Sequence, residues 1–277
     1  MRRLISVGGL SVGFGFYVAI VSCSDLIEPL PGPDSGPPLG QLITRTDPSC
    51  VAPPYGSFVV YQAQGNNHLF RMPAKVGAIP EDISTKLDPL GTGSDEFVNV
   101  SPDGDWLLVG STRFGCNDPC VALVKRDVCT AQVVVAADGT PVPANGTAAV
   151  ASGGNLVVYP AEAQPHQRDL FVVKRTGPTT WSAPVNLTAK SPGTWNQRPA
   201  ISDDGTKMVF DCGPDPNSGA GTSLCVMGLD GNGLVATNPG DLGMQVTAET
   251  YLAHGDFATD GTQRQQDPLL GLALPAF

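Results

Sequence analysis

Between Gln197 and Gly231 the apolar residues fall into three short runs. Ala200-Ile201 leads into the polar Ser202-Asp203-Asp204-Gly205, Met208-Val209-Phe210 follows at once, and Leu224-Cys225-Val226-Met227 comes after a loop of Pro, Gly, Ser and Asn. An Asp-Gly pair between two apolar runs predicts a tight hairpin, because Gly accepts positive φ and Asp tolerates it. The third run ends in Leu229-Asp230-Gly231, which predicts another turn. Together these runs predict an antiparallel meander of three strands with room for a fourth.

The pattern recurs along the chain. Ser101-Pro102-Asp103-Gly104 precedes Trp106-Leu107-Leu108-Val109, and Ala151-Ser152-Gly153-Gly154 precedes Leu156-Val157-Val158-Tyr159. Gly56 precedes Phe58-Val59-Val60-Tyr61 with no clear strand before it, and Ala258-Thr259-Asp260-Gly261 is a final copy. The marker glycines 56, 104, 154, 205 and 261 are spaced by 48, 50, 51 and 56 residues. Third strands are predicted at 68–72, 121–124, 170–173 and 224–227, and fourth strands at 82–84, 132–135, 185–188 and 234–236. Four short strands about every 50 residues is the signature of a β-propeller blade, which buries its faces only against its neighbours.

The repeat resembles the TolB-type, WD-like propeller repeat, in which an apolar-Ser-Pro-Asp-Gly turn precedes an apolar strand and a second strand ends in apolar-Asp-Gly. Residues 199–231 follow it closely, 97–110 through Ser-Pro-Asp-Gly, and 146–188 with the Asp replaced. The resemblance implies an all-β fold, a β-propeller of four-stranded antiparallel blades over residues 55–261 with a tail at 262–277. It carries little about activity, since one fold hosts many functions. About four to five blades are encoded, fewer than the six or more usual in TolB-like rings. Either Tyr251–Phe257 returns to complete the first blade and close a small ring, or Asp260-Gly261 opens a fifth blade. The polar run 262–266 favours the first reading.

The start of the chain has a different character. Arg2 and Arg3 precede the uncharged apolar stretch 4–21, and Ile20-Val21-Ser22-Cys23 has the order of a bacterial lipobox. This layout predicts a signal peptide over 1–22, and its resemblance to lipoprotein signals implies cleavage before Cys23 and lipidation there. Eight prolines and three glycines between residues 24 and 54 suit an extended tether over 23–54 rather than a packed core, although Leu42 and Ile43 offer a place for the tail to pack. The expected location is the bacterial cell envelope, lipid-anchored at the outer membrane and facing the periplasm or the surface.

Charge and cysteines agree with export. Net charge is −10, and loss of residues 1–22 removes two arginines and no acid, leaving −12. Such a balance disfavours nucleic acid and anionic membrane surfaces as partners. Six cysteines remain beyond Cys23, an even number that favours disulfides in an exported chain. Cys212 with Cys225 links neighbouring strands of one blade, Cys116 with Cys120 staples the equivalent loop, and Cys50 with Cys129 is left by subtraction.

Beyond Gly9-Leu10-Ser11-Val12-Gly13 in the predicted leader the chain lacks a G-x-S-x-G sequence, it lacks an H-E-x-x-H and a Walker-type loop, and it has three histidines. Neither a catalytic set nor a cofactor or metal site is expected. Asp103, Asp204 and Asp260 recur at one position, which argues for turn capping. The long loops, those between strands two and three and those between blades, share one face of a propeller, and long loops on a rigid scaffold are where binding concentrates. Arg113, His166, Arg168, Trp195, Asn196 and Arg198 fall in or beside them and form the candidate binding face. The expectation is a non-catalytic protein-binding or scaffold module with an envelope protein as partner. A glycan-binding or glycan-cleaving propeller is the alternative.

Overall fold

In a computed structural model of the 277-residue chain, the described residues are 58–63, 67–87, 93–126, 130–191, 193–214 and 223–237, with the strand backbones at 42–44, 255–257 and 263–265. Cys23, Cys50 and Cys129, together with most of the predicted leader and tether, lie outside them. The described chain is almost entirely β. Its helical elements are one turn, α1 (Ser84–Leu87), and a 3-10 turn at Ser152–Gly154.

The strands follow the repeat. Repeat one holds β2 (Phe58–Ala63), β3 (His68–Pro73) and β4 (Glu81–Asp82), and repeat two holds β5 (Asp95–Val100), β6 (Trp106–Ser111), β7 (Cys120–Lys125) and β8 (Thr130–Val133). Repeat three holds β9 (Ala149–Val150), β10 (Leu156–Gln164), β11 (Gln167–Lys174) and β12 (Val185–Asn186), and repeat four holds β13 (Trp195–Ile201), β14 (Lys207–Gly213), β15 (Ser223–Gly228) and β16 (Val235–Thr237). Successive strands within each repeat pair antiparallel. The second and third strands coincide with the apolar runs. In repeats two and three these runs are continuous rather than alternating because both faces of the sheet are covered, whereas on β2 of repeat one Val59 is left 42% exposed.

Three apolar cores account for that coverage, and each lies between successive repeats. Leu107, Val109, Ala122 and Val124 of repeat two pack with Leu69 and Ile83 of repeat one. The alternate residues Leu108, Val121 and Leu123 face Val157, Tyr159 and Val173 of repeat three. Val158, Leu170 and Val172 in turn meet Met208, Phe210 and Met227 of repeat four. The period-two alternation of a strand thus sends one set of side chains to the preceding repeat and the other to the following one.

Two hydrogen-bond devices reinforce the packing. In the marker turns, Gly104 (φ 73°) and Gly205 (φ 66°) donate to the carbonyls of Ser101 and Ser202. The Asp103 and Asp204 side chains accept from those serine hydroxyls and from the amides of Asp105 and Thr206. These aspartates cap their turns, and Asp103 also accepts from Gly153 N–H of the next repeat at 2.6 Å. At the opposite end of the sheets, the Ser84 hydroxyl accepts from Leu69 N–H at 2.8 Å and donates to buried Asp95 of repeat two. Thr188 repeats this device: it accepts from Leu170 N–H at 2.9 Å and donates to buried Asp169, which Asn196 of repeat four also reaches at 3.1 Å.

Two of the three expected disulfides, Cys116–Cys120 and Cys212–Cys225, are present, and the third pair, Cys50 with Cys129, lies outside the described residues. β1 (Leu42–Thr44), inside the expected tether, adds antiparallel to β8 as an outer strand of repeat two. The C-terminal strand departs from the favoured reading. β17 (Gly255–Phe257) pairs antiparallel with β18 (Gln263–Gln265) and lies against β13 and β14, so residues 263–265 of the polar run serve as a strand and β17 sits beside repeat four. The hydrogen bonds that form a ladder are made by the backbone, which lets a polar run serve as a strand.

Candidate binding pocket

Six residues surround a cavity of about 400 Å3: Phe97, Ala144, Asn145, Glu162, Arg168 and Trp195. They come from repeats two, three and four and from the connection between repeats two and three. Arg168, on β11, and Trp195, the first residue of β13, are partners in a single parallel bridge that joins the sheets of repeats three and four. Arg168 N–H donates to Thr194 O at 2.9 Å, and the Arg168 carbonyl accepts from Asn196 Nδ2 at 3.2 Å. With its main chain tied on both sides, the Arg168 side chain lies over the Trp195 ring, 4.4 Å from guanidinium carbon to ring centre. Stacked cation and indole attract through the ring quadrupole. Trp195 Nε1 donates to Gln197 at 3.2 Å, which fixes the plane of the indole.

Glu162 is the cross-strand partner of Arg168. Its Oε1 accepts from His166 N–H at 3.1 Å, across a turn in which His166 has φ 64°. Asn145 owes its place to a difference between junctions. Asp95, Asn145 and Asn196 each lie nine residues before their marker glycines. Asp95 and Asn196 are buried in the Ser84 and Thr188 networks. At the junction between repeats two and three, Val121 N–H donates instead to the carbonyl of Val142, so the hydroxyl is dispensed with and Asn145 is exposed. The cavity therefore opens where the hydroxyl lock is not used.

Phe97 enters through a β-bulge. Pairing of β5 with β6 shifts register between Glu96 and Asn99, and that of β13 with β14 between Gln197 and Ala200. Phe97 and Arg198, each seven residues before its marker glycine, have φ 54° and 51°. Bulges redirect side chains, and a bulky residue in the left-handed region is strained.

The structure divides the six residues expected on the binding face. Arg168 and Trp195 line the cavity, and His166 is exposed beside it. Arg198 is half-exposed and pairs with buried Asp211 at 3.0 Å. Arg113 and Asn196 are corrections. Arg113 is 3% exposed and pairs through Nε with Asp95 Oδ2 at 2.8 Å, and Asn196 is fully buried. Charge and loop position do not distinguish an arginine that crosses to a buried carboxylate from one that faces water. Phe97, Asn145 and Glu162 lay outside the expected set. The signal for Asn145 was its Asn-Gly pair between repeats, whereas the Phe97 bulge left no sequence mark.

No protein-family model matches this chain, and no curated protein matches it. Among solved structures it is similar to a TolB-type protein of Agrobacterium tumefaciens, at 18% identity and TM-score 0.42, over 62% of this chain and 52% of that one. TolB of Acinetobacter baumannii follows at 13% and 0.32, over 64% and 51%. An oligogalacturonate lyase of Vibrio parahaemolyticus is similar at 12% and 0.38, over 72% and 48%. The chain spans about half the length of each of these. At such scores the likeness carries no argument about activity, and the β repeat rests on the strands and cores described above.

Proposed function

We propose that this chain is a non-catalytic binding module of the bacterial cell envelope, a lipoprotein anchored through Cys23. Its repeats act as blades of a β-propeller, and a group of its ligand enters the cavity at the Arg168–Trp195 stack. The observation that carries the binding role is the construction of that stack. Main-chain bonds from two repeats hold a guanidinium and an indole in fixed register at the mouth of a cavity of ligand size. Two paired disulfides and the lipobox order support an exported location. The ligand is an envelope protein or a glycan that inserts one side chain or one ring.

The glycan-cleaving alternative has a specific requirement. Glycoside hydrolysis generally uses two carboxyl groups flanking the scissile bond, and the cavity lining supplies one, Glu162. The test is parallel measurement of binding and turnover on the same ligands with wild type, W195A and R168A. Binding without product, weakened at least tenfold by either substitution, supports the reading. Product formation lost in Glu162→Gln overturns its non-catalytic part, and binding unaffected by both W195A and R168A removes the site. Intact mass of the membrane-extracted protein tests the anchor: loss of residues 1–22 with added acyl chains is expected, and an unprocessed mass contradicts it.

A further inference from the structure

We infer that the cavity takes a neutral pyranose ring of a glycan, with Phe97 held in its left-handed bulge as one apolar wall and Trp195 as another. The inference rests on the binding role proposed above and names its ligand. The first support is the backbone. Phe97 is one of five described non-glycine residues with positive φ and one of two in a strand bulge. Its counterpart Arg198 directs its side chain to buried Asp211. Phe97 makes no comparable use of the bulge. The residue remains 37% exposed, with one edge of its ring beside Gly110, and lines the cavity. Strain retained at a residue that is not packed away is a pointer to function.

The second support is the chemistry of the lining. Phe97 and Trp195 offer apolar faces, Arg168 offers donors only, Glu162 acceptors only, and the Asn145 amide both. A pyranose has C–H faces that pack on aromatic rings and hydroxyls that both donate and accept, so it uses the whole set. A cationic side chain would enter beside a guanidinium already stacked on the indole, and an anionic one would enter beside Glu162; like charges at such range repel. A volume of about 400 Å3 is at the small end of ligand pockets. One ring of a longer glycan suits it.

The experiment is calorimetric titration of the mature protein with cellotriose, maltotriose, chitotriose, trigalacturonate and the peptide Gly-Trp-Gly, followed by F97G and F97A. The expected result is binding of at least one neutral trisaccharide, weakened tenfold or more in both variants. It comes with an inverted stability order: F97G melts about 2–4 °C above F97A, because glycine accepts positive φ. At a regular strand position alanine is the more stable of the two. Binding of trigalacturonate or the peptide alone overturns the neutral-sugar assignment and leaves the binding role standing. Unchanged sugar affinity in both variants overturns the role of Phe97. Failure of all five ligands to bind wild type overturns the neutral-sugar assignment, while the binding role with a protein ligand stands or falls on the W195A and R168A measurements above.

Discussion

Replacing Ser84 with alanine isolates the hydroxyl that joins repeats one and two. Ser84 is fully buried, and its oxygen has two duties, accepting from Leu69 N–H and donating to Asp95. Alanine leaves the buried Leu69 amide without an acceptor, at a cost of about 1–3 kcal/mol. It also removes one hydrogen bond to a buried carboxylate, of a type worth about 1.5–3 kcal/mol. Asp95 keeps its bonds from Ser111 at 2.6 Å and Arg113 at 2.8 Å, so the carboxylate is not abandoned and the two losses are not fully additive. A total of about 2–4 kcal/mol is expected, which for a domain of this size lowers the melting temperature by roughly 5–15 °C. Val135→Ala, near the junction that uses the Val142 carbonyl instead, serves as the control and loses packing alone. Thermal unfolding by circular dichroism reads both. A Ser84→Ala variant within about 0.5 kcal/mol of wild type refutes the lock, since ordinary surface changes fall in that range.

Further outcomes follow from the same geometry. Gly154→Ala places a Cβ 2.5 Å from the Trp106 ring at φ 66°, and is expected to destabilise far more than Gly205→Ala, where no atom lies within 4 Å; paired thermal melts check the order. Reducing Cys212–Cys225, which spans 13 residues, is expected to cost about 2–3 kcal/mol by the loop-entropy estimate, read as a lower denaturation midpoint in reductant. In acid, hydrogen bonds from Ser202 and Thr206 hold Asp204 at about 2, below its ordinary 3.8. Burial would raise Asp103, but bonds from Ser101 and the amides of Gly153 and Asp105 outweigh it and lower the group. A depressed carboxylate stabilises the fold above its unfolded value, so that contribution is complete above pH 3.8 and is lost as the pH falls towards about 2. Melting curves across that window should show the loss, and Asp204→Asn should flatten it.

The strands and the cores were legible in the sequence because turn chemistry and apolar runs act locally. An Asp-Gly pair sets a hairpin without reference to the rest of the chain, and the continuous apolar runs of repeats two and three declare sheets covered on both faces. Cys212–Cys225 followed from the same register and Cys116–Cys120 from the loop that the two residues flank. The pocket was half legible. Trp195 and Arg168 stood out as large residues in a connecting loop, but whether an arginine faces water depends on a carboxylate brought close by folding. Arg113 meets Asp95 across 18 positions of sequence, and no local pattern encodes that distance. Phe97 depends on a one-residue mismatch between paired strands, which is a property of register rather than of composition. The pairing of 255–257 with 263–265 went unforeseen for the complementary reason: a ladder uses backbone groups and accepts a polar strand.

The most direct test of the account is a fluorescence titration of Trp195 in a W106F/W181F background, where it is the remaining tryptophan, using the saccharide that binds best. The account predicts a saturable change in Trp195 emission, with a midpoint equal to the calorimetric dissociation constant and shifted at least tenfold by R168A. Full calorimetric binding with no change in Trp195 emission, or a midpoint indifferent to R168A, would place the ligand elsewhere and contradict the claim that this stack is the binding site.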